Sequence, residues 1–141
     1  MNTIKNLGHA EAQSAIEVIK REALTRGKAV VITVADAHGE LIALLRMDGA
    51  PLPSIQIAAN KAYTSARERR PSHKIGQASR DPQDGFDISY YGDAKIVGWS
   101  GGLPVSVDGI VVGAIGVSGL PGDEDLELAQ MGLDAIVKSL N

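Results

Sequence analysis

Apolar residues recur along this chain with two different periods, and the change from one to the other outlines its elements. Over residues 9–26, Ala12, Ala15, Ile16, Ile19 and Ala23 fall at helical spacing, and Gly27 supplies a stop. Residues 29–35 and 41–45 are β-rich runs either side of a loop holding Asp36 and Gly39, which predicts an antiparallel hairpin. In the first run Val30, Ile32 and Val34 share one face, and Val31, Thr33 and Ala35 share the other. Both faces are mostly apolar, so both must be covered, either by helices or by another subunit.

Helical spacing returns over residues 53–70, with Ile55, Ala58, Ala59, Ala62 and Ala66 on one stripe and Arg67, Arg69 and Arg70 placed to meet the helix dipole. Pro71 ends it, and Ser72 opens a short third helix through Ser79. Residues 81–95 are polar and turn-rich, and read as a mobile surface excursion. Two further runs, 103–107 and 110–117, are joined by Asp108-Gly109, a strong hairpin signal. A last helix starts near Asp123, with Leu126, Ala129, Leu133, Ile136, Val137 and Leu140 as its stripe. The order α-β-β-α-α-β-β-α, with tight turns between strands, predicts an α+β domain: one antiparallel sheet flanked by helices.

Composition narrows the function more than the fold. With 141 residues the chain makes one domain. A net charge of -3 argues against nucleic-acid binding, which wants a basic face. The lack of cysteine removes disulfides, iron–sulfur clusters and thiolate metal sites. No apolar run is long enough to span a membrane, and "MNTIKNLGHAEAQ" has no apolar leader core, so the expected compartment is the cytoplasm.

Several stretches invite a chemical reading. "GWSGG" (98–102) fits G-x-S-x-G, but no histidine follows Ser100 and a strand-like run follows the motif. Gly101 and Gly102 are better read as permitting a tight backbone path. Gly113, Gly116 and Gly119 are spaced unlike a dinucleotide fingerprint and read as points of close backbone approach, so no nucleotide is expected. Asp123, Glu124 and Asp125 admit a cation site, or simply acids that meet a helix dipole. The histidines lack zinc-type spacing. Arg69, Arg70 and Lys74 cluster near His73 and suit anionic groups such as carboxylates, or form a solvated helix end. Arg46, Asp48, Lys61 and Thr64 are expected to converge where a strand end meets the second helix, as a structural Arg–Asp bridge or as a small-anion pocket.

Two long stretches, "VADAHGELIALLRMDGAPLPSIQIAANKAYTSA" (34–66) and "GGLPVSVDGIVVGAIGVSGLPGDEDLELAQMGLDAI" (101–136), resemble the GlcG/HbpS family, the haem-binding-protein-like domain that also forms the C-terminal part of PduO-type proteins. The resemblance implies a profilin- or roadblock-like α+β domain and homo-oligomers of dimer size or larger. It also implies that "GG-x-P" is a turn into a strand. Some relatives bind haem, and others sit beside genes of glycolate, diol or glycerol metabolism. A haem iron would take a histidine, so His9 and His73 are the candidate ligands, with Arg69, Arg70 and Lys74 facing the propionates. Two other functions stay open at this point. One is an enzyme or enzyme accessory for a small oxygenated metabolite, with Arg46, Asp48, Lys61 and Thr64 shaping the pocket. The other is an oligomeric docking module.

Overall fold

The computed structural model covers residues 1–141. Its elements follow the expected order: α1 (His9–Thr25), β1 (Val31–Asp36), β2 (Leu41–Arg46), α2 (Ser54–Glu68), α3 (Ser72–Ser79), β3 (Gly102–Val107), β4 (Ile110–Ser118) and α4 (Gly122–Ser139). A single 3₁₀ turn at Ile88–Tyr91 lies between α3 and β3. Both ends of α1 are closed by local chemistry. Glu11 accepts the Gly8 N–H at 2.9 Å, and beyond the last turn Lys28 N–H reaches Ala23 O across a left-handed Gly27.

The four strands form one antiparallel sheet in the order β2-β1-β4-β3. Two central strands, β1 and β4, pair along their length, with Val31 opposite Ser118 and Thr33 opposite Gly116. Helices cover both faces. Val30, Ile32, Val34, Ile115 and Val117 enter the main core with Ala12, Ile19, Leu128 and Ile136 of α1 and α4. On the reverse face Val31 packs with Ala58, and Ala35 and Ala114 pack with Ala62 and Ala66 of α2. Of the two covers that the greasy hairpin required, helices within the chain supply both, and β1 itself asks for no second subunit.

Small residues set the spacing of α2 from the sheet. A β-carbon on Gly116 would run into the Ala58 carbonyl oxygen and come within 2.8 Å of Ala62 N and Thr33 Oγ1. Thr33 sits fully buried in the same seam and donates to Ala58 O at 2.8 Å. The G-x-x-G-x-x-G run is therefore a packing device, as its placement in a hairpin strand implied.

Two expectations need correction. The buried stripe of α4 is Asp125, Leu128, Ala129, Gly132 and Ile136, whereas Val137 and Leu140 are exposed. The stripe rotates because α4 meets both α1 and the sheet, and only the inner side of its apolar arc is covered. Helix α2 stops at Glu68, not Arg70; Arg69 turns left-handed at φ 59°, so of the three arginines only Arg67 stays in the last turn. Arg67 lies over the Tyr63 ring at 4.5 Å and donates to His38 O at 2.9 Å. Residues 81–95 form an exposed run of turns, as expected of a surface excursion. Asp81, Asp87 and Asp93 each accept backbone N–H groups two or three residues on, and the Tyr63 hydroxyl donates to Asp93 at 2.5 Å.

Candidate functional site

Where α2, the end of β4 and the start of α4 meet, the chain buries two opposite charges. Lys61, on the sheet-facing side of α2, is 3% exposed, and Asp125, in the first turn of α4, is 2% exposed. Lys61 Nζ donates to Asp125 Oδ2 at 3.1 Å and to Val117 O at 2.8 Å. Asp125 Oδ1 accepts Leu120 N–H at 3.1 Å. Beside them the Ser118 hydroxyl donates to Ser54 Oγ at 3.1 Å, with both serines buried. Burial pulls the Lys61 ammonium below its ordinary pKa of 10.5, against the opposing attraction of Asp125. Burial likewise lifts the Asp125 carboxyl above 3.8, against Lys61 and two backbone N–H groups.

Glycine makes room for this pair. A β-carbon on Gly101, at φ 122°, would lie 2.8 Å from Lys61 Nζ and 3.0 Å from the Asp125 β-carbon. One on Gly102 would meet Ser65 and Ser72 Oγ at 2.7 Å. This explains "GWSGG". The two glycines let the chain pass over α2 into β3, and Ser72 holds the turn by donating to Trp99 O and accepting Gly102 N–H. Ser100 is half-buried, leads into a strand and makes no side-chain hydrogen bond.

The pair forms the floor of a cavity of about 330 Å³. Ser54, Ser118 and Ser100 line it with Lys61 and Asp125 on the polar side; Pro51, Ile57, Trp99 and Leu120 form the apolar side.

The four residues expected to converge do not. Lys61 faces β4 and α4. Thr64, one turn on, is buried against the loop before β3, accepting Val97 N–H at 3.0 Å and donating to Lys95 O at 3.1 Å. Arg46 and Asp48 are exposed, and no ion pair joins them. The bridge is Lys61–Asp125 instead. The three acids of α4 also diverge: Asp125 turns inward to Lys61, and Glu124 faces Arg26 at 3.9 Å.

His9 is the exposed first residue of α1, and His73 lies on α3. Because α1 packs with α4 and α3 with α2, the two histidines sit on opposite layers of the sheet. His73 is half-buried, and its Nδ1 is buried with no partner. Desolvation, then the neighbouring Lys74, hold its imidazole below 6.5. Lys74 and Arg69 are exposed, while Arg70 lies 3.6 Å from Glu68.

Ser54 and Ser118 were not singled out by motif, and Asp125 was read only as one of three acids at a helix start. A signal for Asp125 does exist: it stands at i, with Leu128, Ala129, Gly132 and Ile136 at i+3, i+4, i+7 and i+11, an acid on an apolar stripe. Lys61 stands likewise among Ala58, Ala62 and Ser65.

A family model described as haem degrading protein, HbpS-like, matches residues 7–134. The chain belongs to the HbpS-like family. This HbpS-like chain is 35% identical over 125 residues to an uncharacterised 15.0 kDa protein in the dhaT-dhaS intergenic region of Citrobacter freundii, covering 89% of this chain and 88% of that one. Its fold is similar to the crystal structure of Klebsiella pneumoniae ORFY, with a TM-score of 0.90, 30% identity, and 97% and 94% of the two chains covered. It is similar also to the crystal structure of a PduOC:haem complex, with a TM-score of 0.85, 26% identity, and 92% and 94% covered. The expected family and α+β class both hold. No helix of this HbpS-like chain is long and apolar enough to cross a membrane.

Proposed function

We propose that this protein is a homo-oligomeric small-molecule binding module whose ligand is haem or a related tetrapyrrole. The observation that carries the reading is the likeness to a chain solved as a haem complex, which extends over 92% of this chain. Within the chain, His73 fits the role of iron ligand. Its lowered proton affinity keeps the imidazole neutral at pH 7, the form a metal needs. Its Nδ1 is buried, which leaves Nε2 as the nitrogen an iron would meet. Farther along the same face of α3, Gly76 and Arg80 line a groove of about 290 Å³ with Ile88, Ile96, Val97 and Trp99, an apolar bed for part of a macrocycle. Arg69 and Lys74 are the cations for propionates, joined by Arg70 when it leaves Glu68. Bound haem supplies the iron that takes the imidazole nitrogen. His9, on the other layer, serves a haem only on its own side of the sheet.

Support for self-association is the open edge of β2, where Leu41 and Leu44 are exposed.

Haemin titration tests the reading. The wild type should give a saturable Soret shift, His73→Ala should weaken it, and His9→Ala should leave it intact. A wild type with no saturable shift would overturn the proposal. The same change in both variants would overturn the assignment to His73. Light scattering of the purified chain should return a dimer or larger, and a monomer at all concentrations would remove the oligomer from the reading.

A further inference from the structure

The cavity over Lys61 and Asp125 lies apart from the proposed haem ligand and has its own chemistry. A buried lysine that serves only as a strut needs acceptors for three N–H donors; Lys61 has two, Val117 O and Asp125 Oδ2. One N–H is left without an acceptor, on a side chain that lines the cavity. The serine pair has the same surplus. Two hydroxyls share one bond, so one hydroxyl proton has no acceptor, and both side chains border the cavity. A small oxygen acceptor placed there would meet a free hydroxyl donor and an amine together.

We propose that Lys61 captures small neutral aldehydes or ketones as a Schiff base in this cavity. The ammonium passes a proton to Asp125 Oδ2, 3.1 Å away, and becomes an amine. The nitrogen lone pair forms a bond to the carbonyl carbon, and the C=O π pair moves on to oxygen. Asp125 returns its proton to that oxygen while the serine hydroxyl donates a hydrogen bond to it. One further proton passes from nitrogen to Asp125 and then to the departing hydroxyl, which leaves as water. The product is a protonated imine still paired with the Asp125 carboxylate, so the site starts and ends neutral.

Shape and charge define the substrate. Ile57, Trp99 and Leu120 face the polar floor and suit a short alkyl chain. At about 330 Å³ the cavity takes a small molecule. Pro51, Ile57, Trp99 and Leu120 offer a charged group no partner, which disfavours a carbonyl compound bearing a carboxylate.

The test is reductive trapping near pH 7 with butanal and cyanoborohydride, followed by peptide mapping of the full chain. Lys61 should be alkylated faster than any surface lysine, because burial lowers its amine's affinity for a proton. Butanal should label it faster than 4-oxobutanoate, which has the same carbon count and a carboxylate. The folded double variant Lys61→Met/Asp125→Leu should lose the fast adduct. An unmodified Lys61 beside alkylated surface lysines would overturn the proposal, and equal labelling by the two aldehydes would overturn the preference for neutral carbonyls. The wild-type map decides the first question without any variant.

Discussion

Replacing Lys61 with Met removes one half of the buried ion pair and leaves the other half in place. The methionine chain follows most of the lysine stem, so little packing is lost and the effect is electrostatic. Asp125 then keeps only the backbone N–H groups of Leu120 and Gly119 while remaining 2% exposed. Deleting one partner of a buried pair costs about 3–5 kcal/mol. For a chain of this size that lowers the thermal midpoint by roughly 10–20 °C. The sign of the pH dependence follows from Asp125, whose carboxyl is already raised by burial and rises further without Lys61. A group raised in the folded state gives its full contribution below its unfolded pKa, here 3.8, and loses it as pH climbs through the folded value. Lys61→Met should therefore lie closest to wild type near pH 4 and furthest from it at pH 7. Lys61→Met/Asp125→Leu removes both charges and should return to within about 2 kcal/mol of wild type. Urea and thermal unfolding followed by circular dichroism at both pH values measure these differences. A single variant within about 1 kcal/mol of wild type at pH 7 would refute the reasoning, since about 3 kcal/mol is the least expected from an uncompensated buried charge. So would a double variant no more stable than the single.

Gly116→Ala should destabilise the fold by about 1–3 kcal/mol or more, because its β-carbon meets the Ala58 carbonyl, backbone that cannot swing aside. Urea unfolding measures it, and a neutral result would mean that α2 does not sit where described. Proton NMR of the imidazole of His73 should show a midpoint below 6.5. Because that pKa is lowered on folding, its contribution to stability is present above 6.5 and fades as pH falls through the folded value. His73→Gln should flatten that part of the pH–stability curve, and an unchanged slope would remove desolvation of His73 as its cause.

Much of the fold was legible because local periodicity and turn chemistry act over a few residues. Asp108-Gly109 turns the second hairpin, with both residues at positive φ, and Pro71 and Ser72 separate α2 from α3. The site was far less legible. Lys61 was noticed, but its partner lies 64 residues away, and Ser54 and Ser118 are equally far apart. Arg46 and Asp48 looked like partners because they are close in sequence, yet they stand in solvent at an edge strand and its following loop.

The sequence by itself determined the kinds of element and their order, because helix and strand periods, turn residues and caps are properties of short segments. It also determined where backbones must approach closely, through glycines at positions where a β-carbon would strike another chain segment. Only the tertiary structure decided which polar side chains share a cavity. Docking of α2 and α4 against β4 removes Lys61 and Asp125 from water together, and a buried charge is held by whichever opposite charge the packing brings within reach, however distant along the chain.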